Sequence, residues 1–217
     1  MEHKPGEGAK QPYIFSHERA GVLDDPEREG WLPTAALVEL LSAPSGSRVL
    51  DFGTGTGRYG LAFAQARPDL GVVAYDVQPE MLDIVRHRAA DLHLENFSAA
   101  NWEATQARAP YDRIFALNVL HEIDDDTLRS LAPLLAAQGD VLIFDWDATI
   151  DRPTGPPAEH AHSPAEARDR IARSGLRCVE RIPDARFPYH FILRAERRRS
   201  LGAAVEEAGQ RTLLNGR

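Results

Sequence analysis

Cysteine is almost absent from this 217-residue sequence, which contains only Cys178. A single cysteine cannot form an internal disulfide, and it cannot by itself build a cysteine-based metal site. Free cysteines in strand-like segments are usually buried, and we expect the same of Cys178. The composition therefore excludes a disulfide-rich scaffold and favours one ordinary domain with an apolar core.

Long apolar runs are also absent. The longest runs have the length of a strand, whereas a membrane-spanning helix needs about 20 apolar residues. The sequence shows no signal-peptide or lipidation pattern either. We therefore expect a cytoplasmic protein that has no membrane partner.

Basic residues are fewer than acidic residues in this sequence. Lysine and arginine total 25 against 33 aspartates and glutamates, which gives a net charge of -8 and a pI near 5.5. A chain with this balance is not expected to present a basic face to phosphate groups. We therefore predict no nucleic-acid partner and favour a small-molecule ligand, while the composition leaves the oligomeric state undetermined.

Strand-like and helical segments alternate along the chain, which predicts a parallel sheet with helices on both faces. Only about six residues, 183–188, join the last two strands, so the last strand should run antiparallel. The expected fold is α/β, with a doubly wound, seven-stranded, mostly parallel sheet. The predicted strands are Arg48–Phe52, Gly71–Tyr75, Phe97–Ala100, Arg113–Leu117, Asp140–Asp145, Leu176–Ile182 and Tyr189–Ala195. The predicted helices are Gly57–Arg67, Pro79–Leu92, Thr127–Ala137 and Pro164–Ser174, preceded by a helical stripe over Pro33–Leu41.

The chain is expected to form one domain over residues 13–196. Within it, residues 13–45 should form a helical arm, in which Asp25 caps a helix that has Pro26 at its first position. Residues 1–12 are polar and rich in proline and glycine, which predicts a flexible N-terminus. Residues 197–217 form a C-terminal tail with the charge and the Ala/Leu content of a helix.

The stretch from Val49 to Gly57 runs from an apolar strand through three alternating glycines into a helix. Such a turn lets backbone N–H groups and the positive end of a helix approach a ligand closely, because no side chain blocks them. Asp51 lies at the mouth of the strand, where a buried carboxylate is costly unless something pairs with it. This stretch therefore predicts a ligand that carries a cationic group.

Other polar residues follow the next strands. Ligands of open parallel sheets bind outside the carboxyl ends of the strands. Asp76 lies about twenty residues after the glycines, where a carboxylate can accept both hydroxyls of a ribose. Asn101 and Trp102 follow the third strand and offer an amide for an adenine edge and an indole for its face. The segment 118–122 follows the fourth strand.

The same glycines also fit a different ligand. The segment Gly55–Gly60 matches the G-x-G-x-x-G pattern of dinucleotide-binding proteins, and Asp76 could serve the ribose of NAD. In an NAD-dependent oxidoreductase, however, Asp51 would have no role at the pyrophosphate, and it would carry a desolvation cost. The segments after the third and fourth strands would also lack a purpose, so we favour the first interpretation.

At these residues the sequence resembles the class I S-adenosylmethionine-dependent methyltransferases. It is most similar to small bacterial and archaeal enzymes of the ubiquinone/menaquinone-biosynthesis type, over roughly residues 13–196. The resemblance implies S-adenosylmethionine as cofactor and methyl transfer to a small molecule, with a non-catalytic cofactor-binding regulator or scaffold as the alternative. The motifs that carry it are VLDFGTGTG at 49–57, VVAYDVQPEML at 72–82, AANWEA at 99–104, YDRIFALNVLHEIDD at 111–125 and GDVLIFDWD at 139–147, together with Leu23–Arg28 and Pro188–His190.

The resemblance also implies where the cofactor binds. The glycine turn would bend around its methionine part, with Asp51 at the amino group and Asp76 at the ribose. Val77 and Met81 would flank the adenine, and backbone groups of residues 118–119 would lie near the sulfonium. Asn101 stands where relatives more often have aspartate. The implied cofactor-binding residues are Asp51, Gly53, Thr54, Gly55, Gly57, Asp76, Val77, Met81, Asn101, Trp102, Asn118 and Val119.

The sequence alone does not identify a catalytic base. The candidates are His121, which follows the fourth strand, and His17 and His190, which the resemblance implies as pocket groups because the arm and the loop after the fifth strand usually cover the substrate in this family. Asp145 and Asp147 could form a metal site with His121. Carboxylates at a strand end are more often hydrogen-bonded loop residues, and we therefore predict no metal.

Overall fold

The computed structural model describes residues 15–198, so the predicted flexible N-terminus and the tail beyond residue 198 lie outside the described residues. One seven-stranded sheet has the order β3-β2-β1-β4-β5-β7-β6. All neighbouring strands pair in parallel except β7, which is antiparallel to β5 and to β6. The predicted fold is thus confirmed. The strands are β1 Arg48–Phe52, β2 Gly71–Tyr75, β3 Phe97–Ala100, β4 Tyr111–Leu117, β5 Leu135–Trp146, β6 Leu176–Arg181 and β7 His190–Arg197.

The arm consists of two 3-10 helices, His17–Asp24 and Pro26–Gly30, followed by the first α-helix. Asp25 caps the second 3-10 helix, since its side chain accepts a hydrogen bond of 2.8 Å from the Glu27 N–H. The α-helices are α1 Thr34–Leu41, α2 Arg58–Ala66, α3 Pro79–Asp91, α4 Trp102–Ala107, α5 Asp125–Arg129 and α6 Pro164–Arg173.

Two sequence predictions about these elements were wrong in detail, and one helix was not predicted. The helix expected over Thr127–Ala137 ends at Arg129, and a 3-10 turn leads directly into β5, whose first residue Leu135 pairs with Tyr111. Helix α4 was not predicted, because it is only six residues long. Cys178 is half-buried rather than buried, since β6 is an edge strand.

The two faces of the sheet have separate apolar cores. Successive side chains of a strand point to opposite faces. In β1, Leu50 and Phe52 pack on the face that also buries residues of α5 and α6. Val49 packs on the other face, with residues of α1 and α2. By this alternation Asp51 is on the α2 face.

Within residues 15–198, no helix combines the length and the apolar character that crossing a membrane requires.

Candidate functional site

A cavity of about 500 Å³ lies at the carboxyl ends of β1, β2, β4 and β5. The glycine turn, residues 53–56, lines its base. The arm lines one side with residues that include Phe15 and Leu23, and the segment 154–157 after β5 lines another. Small-molecule sites have volumes of about 300–1,000 Å³, so the cavity is large enough for a nucleoside-sized ligand.

Asp51 presents a buried carboxylate to this cavity. Only 3% of the residue is exposed, and its Oδ2 accepts a hydrogen bond of 2.6 Å from the Thr54 hydroxyl. Burial raises the pKa of Asp51 to about 6, and the nearby Asp76 carboxylate adds to the rise. No ion pair joins Asp51 to a cationic side chain within residues 15–198. A cationic ligand group would therefore stabilise its ionised form.

Asp76 is held by the backbone of the glycine turn. Its Oδ2 accepts a hydrogen bond of 2.9 Å from the Gly55 N–H, and its Oδ1 accepts one of 3.0 Å from the Gln78 N–H. Burial raises the pKa of this carboxyl. A carboxylate can accept about four hydrogen bonds, so part of the acceptor capacity of Asp76 remains available for ligand hydroxyls.

The glycines of the turn serve the packing of the protein itself. Gly53 and Gly55 have φ angles of 72° and 54°, which residues with a Cβ rarely adopt. A Cβ at Gly53 would overlap the Val119 side chain, and one at Gly55 would lie 2.8 Å from Leu23 Cδ1. The sequence suggested that missing side chains leave room for a ligand. The structure shows that the segment after β4 and the arm occupy that room.

Nine of the twelve predicted cofactor residues line the cavity. Asn118 is one of them. It has a φ of 56°, and its buried Oδ1 has no hydrogen-bond partner in the described chain. The nine are Asp51, Gly53, Thr54, Gly55, Asp76, Val77, Met81, Asn118 and Val119.

The other three predicted cofactor residues are outside the cavity lining. Gly57 precedes α2, and a Cβ there would lie 2.9 Å from Val85. The Asn101 side chain caps α4 by accepting a hydrogen bond of 2.9 Å from the Ala104 N–H. The Trp102 ring packs against those of Phe52 and Tyr75. Trp102 thus packs behind two residues that line the cavity, Phe52 and Tyr75.

His121 lines the cavity and forms a buried pair with Asp145. Its Nδ1 lies 2.7 Å from Asp145 Oδ1, and its backbone N–H donates to Oδ2 over 3.0 Å. Burial by itself would lower the pKa of His121, but the carboxylates of Asp145 and Glu122 raise it above the usual value. Asp145 therefore orients the ring and favours its protonated form.

Glu122 lines the cavity but was not among the predicted site residues, although it follows His121 in the segment after β4. Its Oε1 lies 3.7 Å from His121 Nε2, and its Oε2 accepts a hydrogen bond of 3.3 Å from the Phe15 N–H. Burial raises the pKa of Glu122 to about 7. Its position directly after β4 was the signal that could have identified it.

The other two histidine candidates are not among the residues that line the cavity. The backbone N–H of His17 donates to Gln78 Oε1 over 2.9 Å, and its Nδ1 is 3.2 Å from the same atom. The His190 ring packs against Trp146 and Trp31, with centroid distances of 4.3 and 5.8 Å. Burial lowers the pKa of His190 to about 3, so its ring is neutral at physiological pH.

An ion pair between Asp24 and Arg88 holds the arm beside the glycine turn. The two guanidinium N–H groups of Arg88 donate to the two oxygens of Asp24 over 2.9 and 2.7 Å. The Thr56 hydroxyl donates to Asp24 over 2.8 Å, and Arg88 also donates to the Thr56 carbonyl over 3.0 Å. These contacts join the arm, the turn and α3 at one edge of the cavity.

The acidic residues after β5 form hydrogen bonds. Asp145 accepts from His121 and, over 2.7 Å, from the Trp146 N–H. Asp147 accepts from the N–H and the hydroxyl of Thr149 over 2.9 and 2.6 Å. In the part of the chain that the structure describes, no three His, Cys, Asp or Glu side chains form a group that could hold a metal ion.

Comparisons with known proteins show which proteins this chain is similar to. A family model described as a methyltransferase domain matches residues 50–141. Release factor glutamine methyltransferase of Escherichia coli K12 is 27% identical over 163 residues, which are 74% of this chain and 54% of that protein. Trans-aconitate 2-methyltransferase of Methylobacterium radiotolerans is 33% identical over 129 residues, or 59% of this chain and 48% of that protein. The chain thus spans about half the length of these curated relatives.

A solved methyltransferase structure is also similar to this chain. An S-adenosylmethionine-dependent methyltransferase from Aquifex aeolicus superposes with a TM-score of 0.75 at 26% identity, covering 84% of this chain and 98% of that chain. The fold and the cavity therefore define an α/β protein of the methyltransferase type. With the family model over residues 50–141 and the curated relatives, they support the similarity of the chain to the class I S-adenosylmethionine-dependent methyltransferases. The resemblance predicted from the motifs is confirmed.

Proposed function

We propose that this protein transfers a methyl group from S-adenosylmethionine to a small-molecule acceptor in the cavity. One observation carries the proposal: two buried carboxylates, Asp51 and Asp76, face the same cavity from adjacent strands. Asp51 has no cationic partner among the described side chains, and Asp76 retains acceptor capacity. The cofactor carries an amino group and a ribose, which match these two carboxylates.

The remaining residues of the lining complete a cofactor site. Val77 and Met81 supply apolar contacts for the adenine, and Thr54 holds the Asp51 carboxylate in place. Asn118 and Val119 offer backbone groups toward the reacting end of the cofactor. When bound, S-adenosylmethionine supplies an activated methyl group on a sulfonium. The protein therefore contributes chiefly by aligning the acceptor and excluding water, which can lower a barrier by about 7–11 kcal/mol.

His121 is our candidate for the base that removes a proton from the acceptor. Asp145 binds Nδ1, which leaves Nε2 to accept the proton. Nε2 would take the proton that the acceptor atom releases as it is methylated, and the bound cofactor would supply the methyl group. Asp145 stabilises the imidazolium that results.

The walls on two sides of the cavity favour a small acceptor. The arm and the segment 154–157 flank the cavity, so an acceptor must fit between them and the glycine turn. The names of the relatives include both a protein acceptor and trans-aconitate, so they favour neither class.

Turnover of S-adenosylmethionine with a panel of hydroxyl, amine, thiol and carbon acceptors tests the proposal. We expect S-adenosylhomocysteine to form with at least one small acceptor and to fall strongly in the His121→Gln variant. Turnover with a release factor or ribosomal RNA alone would contradict a small acceptor. Cofactor binding without any turnover would favour the regulatory or scaffold alternative.

A further inference from the structure

Two hydrogen-bond donors of the cavity lining have no acceptor in the described chain. The Nε of Arg28, on the arm, is buried and makes no hydrogen bond. The Tyr59 hydroxyl, on the first turn of α2, is buried and makes none either. Burial raises the pKa of this hydroxyl, and the nearby Arg28 guanidinium opposes the rise. Both residues line the cavity, and the Arg28 side chain interacts with the Tyr59 hydroxyl, so the two donors lie close to each other.

The positive charge of Arg28 is also unbalanced. The neighbouring Arg58 pairs with Glu29 at 2.6 Å, and Arg88 pairs with Asp24 at 2.7 Å. Arg28 has no such ion pair within residues 15–198, and its guanidinium carbon lies 5.0 Å from the centre of the Trp31 ring. An aromatic face attracts a guanidinium, but it does not replace the acceptors that the N–H groups need.

A carboxylate meets the needs of both donors. Buried donors without acceptors carry a desolvation penalty, which is why nearly all buried polar groups in folded proteins have a partner. Guanidinium groups bind carboxylates through charge-assisted hydrogen bonds, and a tyrosine hydroxyl can donate to the same group. Building on the function proposed above, we propose that Arg28 and Tyr59 together bind a carboxylate of a ligand in the cavity.

This carboxylate can belong to either of two ligands. S-adenosylmethionine carries one beside the amino group that we assign to Asp51, and Tyr59 is followed by Gly60, which lies against Asp51. An acceptor acid is the second source, because Trp146 and His121 line the same cavity. Both sources require the same two donors.

Calorimetry on the full chain distinguishes the two sources with matched ligand pairs. One pair is S-adenosylhomocysteine and its decarboxylated analogue, and the other is para-hydroxybenzoate and para-hydroxybenzamide. We expect Arg28→Gln and Tyr59→Phe to weaken the carboxylate member of one pair by about 10- to 100-fold, while the neutral member keeps its affinity. Arg86→Gln is the matched control, since Arg86 is an exposed arginine on α3 that is not among the residues lining the cavity.

The outcome either identifies the ligand that supplies the carboxylate or overturns the proposal. A selective loss for S-adenosylhomocysteine identifies the cofactor as its source, and a selective loss for para-hydroxybenzoate identifies the acceptor. Equal affinities in variants and wild type, equal losses within each pair, or the same losses in Arg86→Gln would overturn it. If the wild type failed to bind S-adenosylhomocysteine, the proposed function would fail, whereas the benzoate pair would still decide the role of Arg28.

Discussion

Asp145→Asn tests the role that we assign to His121. Asp145 is fully buried and accepts hydrogen bonds from the Nδ1 and the backbone N–H of His121 and from the Trp146 N–H. An asparagine has one acceptor oxygen, so its amide nitrogen must face one of these donors. Leaving a donor unsatisfied and removing the charge from a buried pair should lower the free energy of unfolding by about 3 kcal/mol.

The same substitution should change catalysis in a pH-dependent way. His121 must be neutral to accept a proton, and Asp145 and Glu122 raise its pKa against the effect of burial. In the wild type, kcat/KM should therefore rise with pH through a value above 6.5. Without the Asp145 carboxylate, burial lowers this pKa, so the rise should move to lower pH. Because the ring is no longer held, kcat should fall by about 100-fold.

Initial rates across pH, measured with the acceptor that the turnover panel identifies, check this prediction. Urea denaturation of the same proteins checks the loss of stability. Asp147→Asn is the matched control, because Asp147 is a buried carboxylate two residues further on that bonds Thr149 rather than His121. An unchanged pH profile in Asp145→Asn, or the same change in Asp147→Asn, would refute the reasoning.

Three further variants test other parts of the site. In Gly60→Ala, the new Cβ would lie 2.5 Å from Asp51 Oδ2, so the carboxylate must move, and calorimetry should show a weaker affinity for S-adenosylhomocysteine. In Asp24→Asn, the half-exposed pair with Arg88 is lost, which should cost about 1 kcal/mol and speed trypsin cleavage in the arm. The raised pKa of Glu122 means that the folded state loses stability as pH rises from 4.5 to about 7. Urea denaturation should therefore show that Glu122→Gln is more stable than the wild type at pH 8 but not at pH 4.

Each of these variants has an outcome that contradicts its premise. Unaltered affinity in Gly60→Ala would mean that Asp51 does not contact the cofactor. Wild-type cleavage rates in Asp24→Asn would mean that other contacts hold the arm. Equal stability of Glu122→Gln and wild type at pH 8 would mean that this carboxyl is not desolvated in solution.

The sequence predicted the sheet well because its strands are apolar and its connections are short. It also located Asp51 and Asp76, since ligands of parallel sheets bind at the carboxyl ends of the strands. The start of β5 was missed because Leu135 and its neighbours also suit a helix, and only pairing with Tyr111 makes them a strand. Local composition could not supply that contact.

The sequence could not show how the arm takes part in the site. Arg28 and Tyr59 are far apart in the chain, and they meet only because the arm folds over the first turn of α2. The environment of Gly55 depends on the same packing, since Leu23 fills the space beside it. The raised pKa of Glu122 is likewise a consequence of burial, which a residue's type and spacing do not reveal.

Calorimetric titration of S-adenosylhomocysteine and NAD into wild type and Asp76→Ala tests the central claim most directly. We predict that wild type binds S-adenosylhomocysteine and not NAD, and that Asp76→Ala weakens the binding by about 10- to 100-fold, because charge-assisted hydrogen bonds to the ribose are lost. Asp83→Ala, an exposed carboxylate on α3, should leave the affinity unchanged. Tighter binding of NAD, or equal affinity of Asp76→Ala and wild type for S-adenosylhomocysteine, would contradict the account.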